Sequence, residues 1–292
     1  MSTYQLIHDY KNNQLLKESF NELAKLVFNL DFSKWYNNGY WGDSYVCYSY
    51  MDGDKIIANA SVNFMTVLLN GKEYNGIQIG TVMTHPDYRH QGLSKKLMDH
   101  ILKEYEDKCD FLYLFANETV LDFYPKFGFT RIQETRYFID ADSLEGDSNR
   151  PVRQLNTEND NDVSLMKLYA KERVPVSFVV AVKGNENLLM FYFLIAFPDA
   201  IYFLEEQEVI VLFEEEEGEL HLFDVISRKQ IDLDKVLKNI VSPNTKKIIF
   251  YFIPDYEGVE SELIEEEDDV LFVRPMIEFG TKQPLFPLTS HA

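Results

Sequence analysis

Cysteine is nearly missing from this chain. Only Cys47 and Cys109 occur among 292 residues. That is too few for a disulfide framework, and they lack the Cys-x-x-Cys spacing of a metal or redox site. Both are expected to be inert packing thiols. The six histidines are scattered, with no His-x-x-x-His spacing, so neither a structural nor a catalytic metal is expected. No apolar run reaches the ~18 residues of a membrane span. Met1-Ser2-Thr3-Tyr4-Gln5 has no basic region leading into a long apolar stretch, and a cytoplasmic protein is the expectation. Positive charge is also scarce: 28 Lys and Arg face 48 Asp and Glu, a net charge of −20. Residues 1–140 hold 14 basic and 18 acidic residues, and residues 141–292 hold 14 and 30. Such a surface repels nucleic acid and anionic membranes and attracts cations. It serves solubility, or it draws in a cationic substrate such as an amine.

What remains is ordinary globular material, long enough for two domains. Tyr4–Ile7 alternates like a strand. Gln14–Phe28 carries apolar residues at helical spacing. Tyr45–Tyr50 and Lys55–Leu69 read as strands joined by a turn at Asp52-Gly53-Asp54. Glu73–Thr84 is a further strand, followed by a loop and a helix from Leu93 to about Lys108. Phe111–Ala116 is wholly apolar, as a buried strand would be. A short helix over Thr119–Phe127 and a strand over Phe129–Ile139 follow. Residues 141–150, ahead of Pro151, are polar and turn-rich and form the best linker.

The informative stretch is Val82-Met-Thr-His-Pro-Asp-Tyr-Arg-His-Gln-Gly-Leu-Ser94. A strand runs out, turns at Pro86 and enters a helix through Arg89-x-x-Gly92-x-Ser94. A helix N-terminus offers unpaired N–H groups and a positive dipole end, which is what a pyrophosphate needs. Gly92 leaves the backbone uncovered. Ser94 can add a hydroxyl, and Arg89, Lys95 and Lys96 add positive charge.

With these residues in place, the stretch resembles motif A of the GNAT superfamily, the acetyl-CoA-dependent N-acyltransferases, whose pattern is Arg/Gln-x-x-Gly-x-Gly/Ala. Ser94 stands at the last position, a small-residue departure. Asn117 through Phe129 is similar to the family's motif B, Asn-x-x-Ala-x-x-x-Tyr-x-x-x-Gly-Phe, with Val120 where Ala is usual. The resemblance covers residues 1–140. It implies an α/β (α+β) fold with a mixed, mainly antiparallel sheet flanked by helices. It implies that backbone groups of Val82, Met83 and Thr84 meet the pantetheine arm and thioester of acetyl-CoA. Arg89, His90, Gln91, Gly92, Leu93 and Ser94 would hold the pyrophosphate, and Asn117 the cofactor arm. Tyr124 would protonate the leaving thiolate; a phenol of pKa about 10 is protonated at neutral pH.

No base is assigned. The strand at 77–84 carries no acidic residue. Glu73 and Glu118 could act through water but read better as solvated surface, and His85 reads equally as a turn cap. Trp35, Tyr36, Tyr40, Trp41 and Tyr45 suit either an aromatic core patch or a lining for an ammonium.

Residues 221–254 repeat the strand–helix–strand order of the first half. The step Val82 to Leu97 spans 15 positions and the step Val225 to Leu237 spans 12, the shortfall falling where the glycine loop would be. The reading is therefore a catalytic GNAT domain at 1–140, a linker at 141–150, and at 151–292 a degenerate GNAT-like domain without a cofactor loop. The expected function is direct transfer of an acetyl group from acetyl-CoA to an amine acceptor, small or peptidic, without a metal. Two other readings fit the residues: a non-catalytic acyl-CoA-binding or sensing protein, and an acidic module that docks a basic partner.

Overall fold

A computed structural model describes residues 4–141, 144, 146, 152–265, 268–280 and 283–292. Its strands are β1 (Gln5–His8), β2 (Tyr45–Asp52), β3 (Lys55–Leu69), β4 (Lys72–Thr84), β5 (Phe111–Ala116), β6 (Thr130–Arg131), β7 (Thr135–Asp140) and β8 (Val152–Gln154). They continue with β9 (Val180–Lys183), β10 (Ile201–Leu204), β11 (Val209–Glu216), β12 (Glu219–Ser227), β13 (Lys247–Phe250), β14 (Glu260–Leu263) and β15 (Val270–Arg274). The helices are α1 (Gln14–Phe28), α2 (Ser33–Asn37), α3 (Leu93–Tyr105), α4 (Asp160–Glu172), α5 (Glu186–Phe191) and α6 (Leu233–Ile240).

Two mainly antiparallel sheets flanked by helices result, the architecture the sequence implies. The first runs β1-β2-β3-β4-β5-β15-β6, with β9 on the far end of β3; the second runs β14-β7-β13-β12-β11-β10-β8. Each contains one parallel pair, β4 with β5 and β12 with β13. Local chemistry accounts for the elements. The Asn13 side chain caps α1 by accepting from Leu16 N, and Asn29 closes the helix in the left-handed region. Phe20, Leu23 and Ala24 form its buried stripe. The acidic run Glu214–Glu217 ends in a tight hairpin whose two corner residues, Glu217 and Gly218, both have positive φ.

One face of the first sheet carries α3. Leu93, Leu97, Met98 and Ile101 pack on Ile77, Ile79, Leu112 and Leu114, all nearly or fully buried. Each such side chain contributes about 1.5–3 kcal/mol, so packing rather than propensity holds α3 on the sheet. The opposite face shares its core with the second sheet: Met65, Val67, Phe111 and Tyr113 join Val209, Leu222, Val236 and Phe250.

The strand expected across 129–139 is broken. Ile132 N bonds Leu271 O, while the Glu134 carboxylate takes Phe286 N. The chain thereby steps from one sheet to the other, leaving β6 in the first and β7 in the second. The expected helix at 119–127 is two 3₁₀ turns, Glu118–Val120 and Tyr124–Phe127, with Pro125 near the start of the second. The expected linker at 141–150 lies largely outside the described residues, as do Met1–Thr3. The sheets do not divide there: β7 precedes it yet belongs to the second sheet, and β15 follows it yet sits between β5 and β6. The physical reason is that Val270-Leu-Phe-Val273 is fully apolar and almost wholly buried, and the bare edge of β5 lets it be covered on both sides.

Candidate active site

The loop after β4 is built to leave amides bare. His85 caps a 3₁₀ turn, Pro86–Tyr88, by accepting Asp87 N at Nδ1, and its Nε2 lies 2.9 Å from Lys55 Nζ. Both ring nitrogens are thus engaged, which makes His85 a turn cap. His90 then adopts φ 62 and Gly92 φ 73. Gly92 is the N-cap of α3, and no atom lies within 4 Å of where a Cβ would stand. The first helical bond runs from Lys96 N to Gly92 O (3.1 Å), so the N–H groups of 93–95 find no helical acceptor. Arg89, His90, Gln91 and Gly92 are exposed, whereas Leu93 is buried and anchors the helix. The Ser94 and Thr84 hydroxyls lie 2.8 Å apart, which ties the helix start to the strand end. Tyr4 OH donates to Gln91 Oε1 (3.0 Å). Among the described residues Arg89 has no ion-pair partner.

Beside this loop the sheet opens. β4 and β5 pair only at Gly76–Gln78 with Phe111–Tyr113, while β4 stays paired to β3 as far as Thr84. The edge of β4 facing β5 is therefore free from Ile79 onward. Within this opening the β3–β4 register jumps, from Ser61↔Gly80 to Asn59↔Met83, and Thr81 takes φ 45. A β-branched residue seldom adopts that conformation. Buried polar groups hold it there: Asn59 Nδ2 donates to Thr81 O (3.0 Å), Thr81 Oγ1 to Ser61 Oγ (2.7 Å), and Tyr45 OH lies 2.8 Å from Thr81 Oγ1. Ser49 and Tyr10 extend the network. The Met83 side chain turns into the α1 core and Val82 packs toward α3, so main chain faces the opening.

Part of the opening is filled by residues 288–292. Oriented to suit its neighbours, the Gln78 amide donates to Ser290 O (2.9 Å) and accepts from Ala292 N (3.0 Å). A Cβ at Gly80 would collide with the Ala292 carbonyl oxygen. Next to this segment lies a cavity of about 280 Å³. Its walls include Trp35, Tyr45, Thr81, Phe115, Asp269 and His291. Asp269 Oδ2 accepts from or pairs with His291 Nδ1 at 2.6 Å, and the His291 ring stacks on Phe115 with centroids 3.5 Å apart. Burial pulls the imidazolium pKa down, but the Asp269 carboxylate and then Glu134 outweigh it, and the pKa is raised. Burial pushes the Glu134 carboxyl up to about 7 against the opposing charge of His291.

Asn117 and Tyr124 lie on the connection leaving β5. Asn117 is exposed, and its Oδ1 caps the following turn, accepting from Thr119 N (3.1 Å) and Oγ1 (2.6 Å). Tyr124 packs with Leu93, Leu97 and Ala116 in the core that carries α3, and burial pushes its phenol up to about 12. The two other acidic candidates stand apart. Glu73 is ion-paired with Lys183 (2.6 Å), 11 residues and so about 36 Å of strand from Thr84. Glu118 is exposed on its turn. Of the five candidate aromatics, all buried, only Trp35 and Tyr45 reach the cavity. Tyr36 and Tyr40 instead lie under the ammonium groups of Lys17 and Lys167. Cys47 and Cys109 are free, and burial pushes their thiols up to about 12 and 11. Among the described residues no group of three or more His, Cys, Asp or Glu is placed to hold a metal, and no helix is long and apolar enough to cross a membrane.

The splayed parallel strand pair and the bare helix N-terminus thus stand side by side. Residues 11–132 match the acetyltransferase (GNAT) domain. Solved structures share the overall fold. A probable N-acyltransferase from Enterococcus faecalis V583 is similar over 94% of this chain and 72% of its own, with TM-score 0.60 at 13% identity. Eis1 from Mycobacterium abscessus is similar over 93% and 73%, with TM-score 0.57 at 12% identity. A GCN5-related N-acetyltransferase from Kribbella flavida is similar over 93% and 72%, with TM-score 0.54 at 14% identity. No curated protein matches by sequence.

Proposed function

We propose that the protein transfers an acetyl group from acetyl-CoA directly to an amine held in the same complex. One observation carries this reading: an uncovered helix N-terminus, with Gly92 at φ 73 and open space before it, stands next to a strand edge that β5 leaves unpaired beyond Gln78. Arg89 through Ser94 would bind the pyrophosphate through amides and the helix dipole. Val82, Met83 and Thr84 would present main chain to the pantetheine arm, and Asn117 would contribute its free Nδ2. No metal takes part.

The amine nitrogen attacks the thioester carbonyl carbon; a C–N bond forms and the C–S bond breaks. An ammonium of pKa about 10.4 is neutral in about one molecule in 2,500 at pH 7, so the proton must leave before attack. Tyr124 stays protonated throughout the physiological range. Its pKa of about 12 lies some 3.5 units above that of a thiol, making full proton transfer uphill by about 5 kcal/mol. Its contribution is therefore a hydrogen bond to the developing thiolate, which then takes its proton from solvent. The second sheet would bind no cofactor, because α6 is entered through Asp232 and Asp234 with no glycine loop before it.

Thermal stabilisation by acetyl-CoA, compared with adenosine, followed by thiol release with a panel of amines, tests the reading. Stabilisation without thiol release for any amine would leave a binding or sensing protein in its place. An absence of stabilisation would remove both.

A further inference from the structure

The cavity beside Thr81 has chemistry of its own. Its Trp35 indole N–H is already spent on Asn187 O (2.7 Å), so that ring offers only its apolar surface. Tyr45 OH is bound into the network under Thr81. Phe115 and Phe191 complete an apolar slot. Two polar features break the slot. Asn63 is 95% buried, its side chain makes no hydrogen bond to any described residue, and its buried Nδ2 is unpartnered. It shares a cross-strand row with Tyr45 and Gln78 and lines the cavity. A buried amide without a partner is unfavourable, and a ligand hydroxyl or amide would supply the missing bond. Asp269 is the second feature. Its side chain is half exposed, one oxygen goes to His291, and its backbone sits at φ 61. The pairing of Val270 with Ala116 puts Asp269 beside the end of β5, where the strand opening lies. The volume, about 280 Å³, equals roughly nine waters at about 30 Å³ each.

We infer that this cavity takes a small primary amine of about ten non-hydrogen atoms, with a flat apolar body, its ammonium on Asp269 and a hydroxyl or amide on Asn63. The inference rests on the acetyl-transfer reading and narrows it to amines whose whole body the slot can hold. His291 acts as a positioning residue that fixes the Asp269 carboxylate.

The test compares 4-hydroxyphenethylamine, phenethylamine and a lysine-containing hexapeptide as acceptors. Direct amine affinity is also measured by calorimetry on the full chain without cofactor. The hydroxylated amine should exceed phenethylamine in kcat/KM by tenfold or more, and the peptide should be poor. Asp269→Asn should raise KM for both small amines at least tenfold and leave stabilisation by acetyl-CoA unchanged. Asn63→Ala should bring the ratio of the two amines near one. Should Asn63→Ala not fold, Asp269→Asn and the calorimetric ratio carry the test. A peptide acetylated as well as the small amines, or an unchanged KM in Asp269→Asn, overturns the inference while transfer itself stands. Failure of acetyl-CoA to stabilise the unaltered protein sinks the transfer reading instead, and calorimetry still reports whether the cavity takes amines.

Discussion

The β4–α3–β5 unit of the first sheet and the β12–α6–β13 unit of the second share one plan and differ in what fills it. In each, a parallel pair separates after a few residues beside a register irregularity, at Thr81 in one and at Phe223 in the other. The first connection, residues 85–92, ends in Gly92 with no acidic residue in the helix's first turn. The second, residues 228–232, is three residues shorter and enters α6 through Asp232 and Asp234. Its opening is also plugged. Buried Asp224 takes both Arg173 Nη atoms (2.9 and 3.0 Å) and the Thr289 hydroxyl, and Leu288 N bonds Tyr251 O. The segment 288–292 thus closes the second notch with its first residues and borders the first notch with its last. The shared backbone plan thus carries bare amides in one unit and an acidic, plugged entry in the other.

The largest expected effect comes from pulling the plug. Asp224→Ala leaves the Arg173 guanidinium buried without its partner and should cost about 3–5 kcal/mol, read from urea midpoints. Calorimetry should still find one acetyl-CoA site. A second site would mean that the plug, not the missing loop, separates the two units.

The seam between the sheets should respond to pH. Glu134, at about 7 when folded and about 4.3 when unfolded, binds its proton more tightly in the folded state. That stability is full below about pH 4.3 and is lost as pH rises through 7, a change of about 4 kcal/mol. The raised His291 pKa acts in the same direction. Urea midpoints should fall between pH 5 and 8.5, and Glu134→Gln should flatten most of that slope.

Gly92→Val sharpens the comparison from the first unit's side by making its loop resemble the second's. A branched side chain at φ 73 is strained and covers the amides. Stabilisation by acetyl-CoA at 100 times its Kd, about 2.7 kcal/mol in the unaltered protein, should vanish. The smallest effect is expected from Tyr124→Phe, which removes one hydrogen bond to the departing sulfur. It should lower kcat about 10- to 100-fold and leave the acetyl-CoA affinity intact; an unchanged kcat would reduce Tyr124 to a packing residue.

Much of this was legible in the chain. Helical spacing gives α1 as Gln14–Phe28 and an unbroken apolar run gives β5 as Phe111–Ala116, both with the observed bounds. The loop was legible too, because a bare helix N-terminus needs only neighbouring residues in order. Asn59, Ser61 and Thr81 were not. Nothing in a period-two pattern marks a bulge or tells a solvated polar residue from one buried in a network. Asn63 and Asp269 carry no local signature either, since their roles come from what stands opposite them.

The sequence by itself determined the local elements, the glycine loop before α3 and its absence before α6, since each depends on residues within one turn or strand of each other. Only the tertiary structure decided that β15 inserts beside β5, that β7 joins the second sheet, and that residues 288–292 run between both notches. Those choices turn on which apolar edges cover one another across more than a hundred residues. Burial by contact between distant segments leaves no periodicity to read.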